Sequence, residues 1–292
     1  MSAPRRWLAL SVRDGSGFPH VAELLPEAIR RLGGGGAEED DRGGLVTYFP
    51  EPEDPELLLE EVRREIEAYT GTSSLDLSWR WQEHEAWADT WRRGFEPRRI
   101  TDRLVVSPSW RDPELQPGEV LVTLDPGVAF GTAEHPTTRG CLRFVDRVVE
   151  PDGRWADIGA GSGILGIAAV RIGAEFVTAI EPDGLSCAAI EENARRNGVE
   201  AQIRILPGLA TPDLLSSLRP FDGIVANIES GVILPLLPSF RAALDAGGLL
   251  VVSGILHYEA QAVVEEAASS DLELLEEDRE EEWWTGLFRA GV

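Results

Sequence analysis

The stretch DIGAGSG, residues Asp157 to Gly163, decides the fold of this chain. It follows the strand-like run RWADI (residues 154–158) and precedes ILGIAAVRIG (residues 164–173), whose pattern is typical of a buried helix. Glycines here let the backbone turn sharply, and the amides at the helix start can hydrogen-bond a carboxylate or phosphate. The stretch therefore predicts a strand, a ligand-binding loop and a helix, in that order.

Strand and helix patterns alternate around this loop from about residue 136 onward. The strand-like runs are residues 175–181, 201–207, 221–228 and 249–255, and the helical runs are residues 184–198, 232–248 and about 257–268. Two more strand-like runs, LELLEE and WWTGLFRA, close the sequence. Repeated units of this kind form a mostly parallel sheet covered on both faces, so the fold class is α/β. Ligands of such sheets bind beyond the carboxyl ends of the strands.

The first part of the chain has a different texture. It contains strand-like runs at residues 7–12 and 44–49, helical runs at residues 20–33, 56–69 and 83–95, and a GGGG run at residues 33–36 that indicates a loop. We expect a smaller α+β domain over residues 1–105. The segment 107–119 is rich in proline and charge, which indicates a linker over residues 106–124 before a second domain over residues 125–292.

Composition narrows the function classes. The 292 residues carry 51 acidic and 27 basic side chains, a net charge of −24, and every basic residue is arginine. Such a surface repels nucleic acid and attracts a basic protein partner. Composition alone favours the alternative that the acidity only reflects solubility or a salty cytoplasm. We find no membrane-spanning run and no secretory signal, and we expect a cytoplasmic protein. With two cysteines and four scattered histidines, no metal site is expected.

Glu181 ends the strand that follows the glycine loop. A carboxylate there can accept hydrogen bonds from both hydroxyls of a ribose, so loop and acid together predict a pocket for an adenosine-bearing ligand. Two frames overlap. Gly161, Gly163 and Gly166 satisfy the G-x-G-x-x-G pattern of nicotinamide-binding proteins. The first glycine of that pattern should directly follow the strand, but here the predicted strand ends before Gly159. The frame Asp-x-Gly-x-Gly-x-Gly, which begins at Asp157, fits this geometry better and resembles class I S-adenosylmethionine-dependent methyltransferases.

Asn227 lies in VANIESG at the end of the fourth strand, hence at the ligand-binding edge. Its amide offers one acceptor and one donor, which suits an amine whose lone pair must face a methyl group. A turn residue that merely ends the strand is the alternative. Pro136 marks a helix start, with Thr137 and Thr138 in the first turn.

Longer runs resemble one family, the ribosomal protein L11 methyltransferases (PrmA). They are DPGVAFGTAEHPTT (from Asp125), NARRNGV (from Asn193), GGLLVVSGIL (from Gly247), EEWW (from Glu281) and WADTWRRGFEPRRITDRLVVSPSW (from Trp87). The resemblance implies a seven-stranded Rossmann-like sheet with a terminal antiparallel hairpin and a substrate-recognising N-terminal domain. It also implies methyl transfer from S-adenosylmethionine to lysine amines of a ribosomal protein, and it leaves an N-terminal amine open as a second target.

The resemblance also carries over site residues. The cofactor contacts it implies are Thr138, Gly159, Glu181 and Asn227, and the acid Asp157 with Gly161 and Gly163 completes the loop. We expect Asn227 to orient the amine as the catalytic residue, and we nominate no general base. Glu134 departs from the family's pattern and raises the question of substrate fit at the pocket mouth.

Several alternatives stay open at this point. An NAD-dependent oxidoreductase and a non-catalytic adapter that keeps the fold are the competing functions, and a monomer is favoured over an oligomer. Of the adjacent Trp283 and Trp284, one ring is expected in the core. Cys141 and Cys187 are interpreted as core residues. His135 either approaches the cofactor or positions the helix start.

Overall fold

The computed structural model describes residues 6–14, 35–39, 45–52, 54–70, 75–83, 95–125, 131–218 and 220–291. The chain divides into two compact units, Met1–Phe95 and Glu96–Val292. The sequence analysis places the end of the first domain at residue 105, which is later than the observed boundary. The predicted helix over residues 20–33, and all but the ends of that over residues 83–95, lie outside the described residues.

The N-terminal unit is a four-stranded antiparallel sheet with one helix. Its elements are β1 (Arg6–Asp14), β2 (Gly35–Glu39), β3 (Leu45–Pro50), α1 (Pro55–Thr70) and β4 (Leu75–Glu83), and the strand order is β2-β3-β1-β4. Alternate residues of β1, such as Leu8 and Leu10, are buried with Phe49 and with Val62 of α1. The GGGG run is not wholly a loop, because Gly35 begins β2 and pairs with Tyr48.

The second unit contains the predicted alternation of strands and helices, together with three short strands and one short helix that the sequence did not predict. They are β5 (Arg98–Arg99), β6 (Leu104–Ser107), β7 (Val120–Thr123), α2 (Pro136–Val148), β8 (Arg154–Ile158), α3 (Ile164–Ile172), β9 (Phe176–Glu181), α4 (Gly184–Arg196), β10 (Ile203–Pro207), α5 (Pro212–Leu218), β11 (Phe221–Asn227), α6 (Ser230–Ala243), β12 (Leu244–Leu256), α7 (Ala260–Ser269), β13 (Leu272–Glu280) and β14 (Trp283–Ala290).

Seven of these strands form one sheet in the order β10-β9-β8-β11-β12-β14-β13. The first five are parallel, and β14 and β13 add an antiparallel hairpin at one edge. Two apolar clusters include residues on its two faces, one around Ile167 and Val225 and the other around Ile224 and Phe240. The chain runs outward from β8 on one side and from β11 on the other, so a ligand crevice opens where these two strands meet. The seven-stranded sheet predicted from the sequence is confirmed.

The segment interpreted as a linker over residues 106–124 belongs to the second unit. Strands β5, β6 and β7 form a small sheet, and all four residues of β6 are buried. The side chain of Asn197 binds the backbone of Thr123 twice, accepting from its N–H at 2.8 Å and donating to its carbonyl at 2.7 Å. The proline-rich segment is therefore only the connection between β6 and β7. Each of these strands has four residues, which is too short for the sequence pattern to predict.

Candidate functional site

The glycine loop has the backbone conformation that its composition predicts. Gly159, Gly161 and Gly163 have φ angles of 67°, 54° and 80°, in the left-handed region that favours glycine. Gly163 caps α3 without any side-chain hydrogen bond. Amides at the start of a helix carry partial positive charge, which attracts a carboxylate. In this loop the N–H groups of Gly161 and Gly163 already donate to Glu181 and Ala160, so the attraction rests on this charge.

Asp157 lies beneath the loop and is fully buried. Its Oδ2 accepts a hydrogen bond from the Gly166 N–H at 2.9 Å, and its Oδ1 has no hydrogen-bond partner among the described residues. Burial raises the pKa of Asp157 to about 7, with a smaller contribution from the Glu181 carboxylate, while the bond from Gly166 acts in the opposite direction. Asp157 therefore fixes the first turn of α3 under the loop.

Glu181 ends β9 and closes one side of the crevice. Its Oε2 accepts from the Gly161 N–H at 2.9 Å and its Oε1 from the Asp183 N–H at 2.9 Å. Because each carboxylate oxygen has two lone pairs, the group can hold the loop and still accept bonds from ribose hydroxyls. The structure thus brings Glu181 and the glycine loop together, as the sequence analysis expected.

Asn227 ends β11 on the other side of the crevice. Its Nδ2 donates to Oγ1 of Thr138 at 3.4 Å, and its Oδ1 is buried without a hydrogen-bond partner among the described residues. Thr138 is itself fully buried in the first turn of α2. A buried acceptor without a donor is costly, so this carbonyl is suited to the N–H of a ligand.

Ile228 fixes Asn227 beside the glycine loop. A Cβ on Gly159 would overlap the Ile228 side chain, and a Cβ on Gly254 would overlap the Ile228 backbone. The Ile228 N–H also donates to the Ser253 carbonyl at 3.2 Å. The glycine of the VVSGIL run is therefore needed for the close approach between β12 and the end of β11.

The segment of residues 131–135 leads into α2 and contacts the glycine loop. Oγ of Ser162 donates to the Gly131 carbonyl at 2.5 Å. His135 caps α2, and its Nδ1 accepts from the Thr137 N–H at 3.3 Å. Of the two interpretations of His135, the structure therefore shows the positioning one. Burial and the charge of Arg139 lower the pKa of His135, and the carboxylates of Glu282 and Glu281 oppose this.

The two neighbouring tryptophans separate as expected. Trp284 is fully buried, and its Nε1 donates to Glu277 at 2.8 Å, which confirms the core prediction for one ring. Trp283 is half-buried and lies edge-on to the His135 ring, with 5.1 Å between ring centroids. Trp283 therefore lies beside the helix start that carries Thr138.

Glu134 does not face the crevice as a free charge. Its two carboxylate oxygens accept from Nη2 and Nε of Arg98 at 2.5 and 3.3 Å. The pair is partly exposed, with side chains 37% and 43% accessible. The departure at this position is therefore matched by an arginine partner within the same unit.

The sequence analysis did not single out Leu185, Leu209 or Asn193. Leu185 and Leu209 follow the ends of β9 and β10 and remain 67% and 69% exposed. An apolar residue just after a strand end was the available signal. Nδ2 of Asn193 donates to the Ser162 carbonyl at 2.9 Å and so supports the glycine loop from α4. That contact joins residues 31 positions apart, which spacing alone does not reveal.

Both cysteines are core residues, as predicted. Cys141 and Cys187 are buried, and burial raises the pKa of each thiol, which disfavours the thiolate. Within the described ranges, no group of three or more histidine, cysteine or acidic residues is arranged to hold a metal ion. None of the described helices is long and apolar enough to cross a membrane.

Comparison with known proteins identifies the family. A family model described as ribosomal protein L11 methyltransferase (PrmA) matches residues 34–290. The chain belongs to this family. It is 34% identical over 304 residues to the ribosomal protein L11 methyltransferase of Pelotomaculum thermopropionicum, covering 95% of this chain and 96% of that protein. It is 41% identical over 245 residues to that of Symbiobacterium thermophilum, covering 82% of this chain and 78% of that protein.

A solved structure agrees with this assignment. The ribosomal protein L11 methylase of Lactobacillus delbrueckii subsp. bulgaricus superposes with a TM-score of 0.61 at 30% identity, covering 68% of this chain and all of that one. The chain is thus a PrmA-family methyltransferase, and S-adenosylmethionine is its methyl donor. The oxidoreductase interpretation of the glycine frame is thereby set aside.

The site fits this methyl donor chemically. The donor carries a carboxylate and a ribose, which match the charge of the helix start and the Glu181 carboxylate in turn. The unpaired Oδ1 of Asn227 is an acceptor not used within the described structure. Glycine at positions 159, 161 and 163 leaves three positions of the loop without a side chain.

Proposed function

We propose that this protein transfers methyl groups from S-adenosylmethionine to lysine amines, and to the N-terminal amine, of ribosomal protein L11. Membership of the PrmA family and the names of its relatives as ribosomal protein L11 methyltransferases support this substrate. The observation that carries the amine specificity is the buried Oδ1 of Asn227, an acceptor without a donor among the described residues.

Asn227 orients the nucleophile in this proposal. When bound, S-adenosylmethionine supplies an electrophilic methyl group on a positively charged sulfur. The Oδ1 of Asn227 accepts one N–H of a neutral amine, and Thr138 holds the amide through Nδ2. This hydrogen bond restricts the orientation of the amine, so that its lone pair can face the methyl carbon. Alignment of the reacting atoms contributes much of the rate.

A lysine ammonium has no lone pair and must lose a proton before it reacts. Removing the ammonium from water lowers its pKa, and a neighbouring positive charge lowers it further. Asp157 is buried beneath the loop with one oxygen bound to Gly166, and Nδ1 of His135 is engaged by Thr137. Neither is arranged as a base in the crevice, so we assign none.

The charge around the site favours a basic substrate. Glu281 and Glu282 are exposed and follow the hairpin strand β13, and their charges act on His135 against the lowering of its pKa by burial and Arg139. The whole chain carries a net charge of −24. A basic protein is therefore attracted to the surface around the crevice, which accelerates encounter.

The N-terminal unit recognises the substrate protein in this proposal. Its helix α1 exposes Glu56, Glu60 and Glu61 together with Leu57, which is 53% accessible. Reversing Glu60 and Glu61 to arginine should raise KM for ribosomal protein L11 and leave the Kd for S-adenosylmethionine unchanged. An unchanged KM would remove this role from the helix.

We also propose that the protein is a cytoplasmic monomer, in keeping with a ribosomal substrate.

The adenine base is the remaining part of the donor to be accommodated. Leu185 and Leu209 expose apolar surface after the ends of β9 and β10, the two strands on the Glu181 side of the crevice. A flat aromatic base gains free energy by covering such surface. We therefore propose that these leucines contact the adenine.

The test uses purified ribosomal protein L11, S-adenosylmethionine and intact-mass spectrometry. Wild-type protein should add methyl groups to L11, and acetylation of the L11 amines beforehand should abolish the reaction. Asn227→Ala should lower kcat by about 100-fold and raise the Kd for S-adenosylmethionine by a much smaller factor, because Asn227 is also an expected contact of the donor. Methylation that survives amine blocking, or full turnover in Asn227→Ala, would contradict the proposal.

A further inference from the structure

Arg139 joins three parts of the catalytic unit through one guanidinium group. Its Nη1 donates to the carbonyl of Ala133 at 3.1 Å and also to the carbonyl of Glu134. Its Nε and Nη2 donate to Oε1 of Glu280, in β13, at 2.8 and 2.5 Å. The arginine side chain is only 12% exposed, so these bonds are largely shielded from water.

The two carbonyls belong to the segment of residues 131–135, which contacts the site from both ends. At its start, the Gly131 carbonyl accepts from Ser162 of the glycine loop. At its end, His135 caps the helix that presents Thr138 to Asn227. A shift of this segment therefore moves the groups on which the orientation of the amine depends.

Arg139 is the first member of an ion-pair ladder between α2 and β13. Arg139, Arg143 and Arg147 face Glu280, Asp278 and Glu276. Four helical residues rise about 6 Å and two strand residues about 6.6 Å, so the two series stay in register. Burial opposes ionisation of Glu280, but bonds from Arg139 and Arg143 outweigh it and lower its pKa.

The members of this ladder differ in what they contact. Arg147 pairs with Glu276 at 2.7 Å, both side chains are 53% exposed, and its partner lies at the far end of the ladder from the site. Exposed pairs of this kind contribute little to stability. Arg147 is therefore a control with the same residue type, the same helix and the same kind of partner.

We propose that Arg139 is a positioning residue for methyl transfer, which holds the segment 131–135 against β13 so that Thr138 and Asn227 stay aligned. The kinetic test of this inference rests on the proposed function, whereas the hydrogen-exchange test depends only on the fold. Arg139 touches neither the glycine loop nor Glu181 in the described structure, so it should affect turnover rather than donor binding.

The kinetic test compares Arg139→Gln with Arg147→Gln. Arg139→Gln should lower kcat toward ribosomal protein L11 by about 10-fold to 100-fold and change the Kd for S-adenosylmethionine less than about 3-fold. Arg147→Gln should leave both within about 2-fold. Arg139→Lys should restore part of the turnover, because an ammonium keeps the charge but lacks the planar fork that reaches carbonyls and carboxylate together.

A second readout is independent of activity. Hydrogen exchange followed by mass spectrometry should show faster exchange in residues 131–138 for Arg139→Gln, with no change there for Arg147→Gln. Equal exchange in the two variants would overturn the proposal whatever the activity, and so would equal kcat values. If wild-type protein fails to methylate L11, the proposed function fails, and the exchange experiment still decides the role of Arg139.

Discussion

Gly159 lies directly against Ile228, the residue that follows Asn227, and a Cβ on Gly159 would overlap the isoleucine side chain. This contact joins the loop after β8 to the end of β11, the two parallel neighbours between which the order of strand addition reverses. The glycine loop and Asn227 are thus fixed relative to each other by packing. Substitution at Gly159 tests that arrangement.

Gly159→Ala should weaken S-adenosylmethionine binding by at least about 10-fold. The residue has a φ of 67°, where alanine is strained, and its Cβ would push Ile228 away. Isothermal titration calorimetry measures the Kd. Gly231→Ala is the matched control, because a Cβ there meets nothing within 4 Å, and its Kd should stay at the wild-type value. Equal Kd values in both variants would contradict the arrangement.

Glu181→Gln should raise the Kd for S-adenosylmethionine by about 10-fold or more, because an amide keeps one acceptor oxygen where two are used. Its NH2 group would face either the Gly161 or the Asp183 N–H. Glu175→Gln, just before the start of the same strand, makes the same chemical change in an exposed position. A Kd that moves equally in both variants would show that Glu181 has no special part in binding.

Asp157→Asn should change how stability depends on pH. The pKa of Asp157 rises to about 7 on folding, so its contribution to stability is full below its unfolded value of 3.8 and is lost as the pH rises through 7. Asparagine removes this titration. The free energy of unfolding of the variant, relative to that of wild type, should therefore increase by on the order of 1–4 kcal/mol between pH 4 and pH 8. Urea unfolding at each pH measures it. If the difference in the free energy of unfolding between variant and wild type stays the same from pH 4 to pH 8, Asp157 does not titrate as a buried acid.

Gly140→Ala should destabilise the fold by about 1–3 kcal/mol, since a Cβ at this position overlaps the Thr285 side chain. The glycine allows α2 to approach β14 closely, and Thr285 is bound there to Ser253 at 2.7 Å. Thermal unfolding measures the loss. Combined with Thr285→Ala, the loss should be less than additive, because the overlapping atoms are gone. Strict additivity would exclude the contact as the cause.

Much of the catalytic unit is readable from sequence because its signals are local. The glycines at 159, 161 and 163 sit where the backbone needs a positive φ, and Glu181 and Asn227 end strands. Parallel topology alone brings such strand ends to one edge of the sheet. These placements follow from the alternating pattern without any knowledge of distant contacts.

The parts that escaped depend on contacts between distant residues. Arg139 meets Glu280 across 141 positions, and no spacing rule links them. Strands β6 and β7 have four residues each and were hidden on either side of a proline-rich run. Strand β4 carries an alternating pattern, Leu75-Asp76-Leu77-Ser78-Trp79, that predicts a strand and was overlooked.

Mass spectrometry of ribosomal protein L11 from cells with and without this gene tests the central claim most directly. The account predicts methylated amines on L11 from cells that have the gene and unmodified amines from cells that lack it, with restoration by the wild-type gene. Restoration by the Asn227→Ala form should fall well short of it. Identical L11 masses with and without the gene would contradict the account.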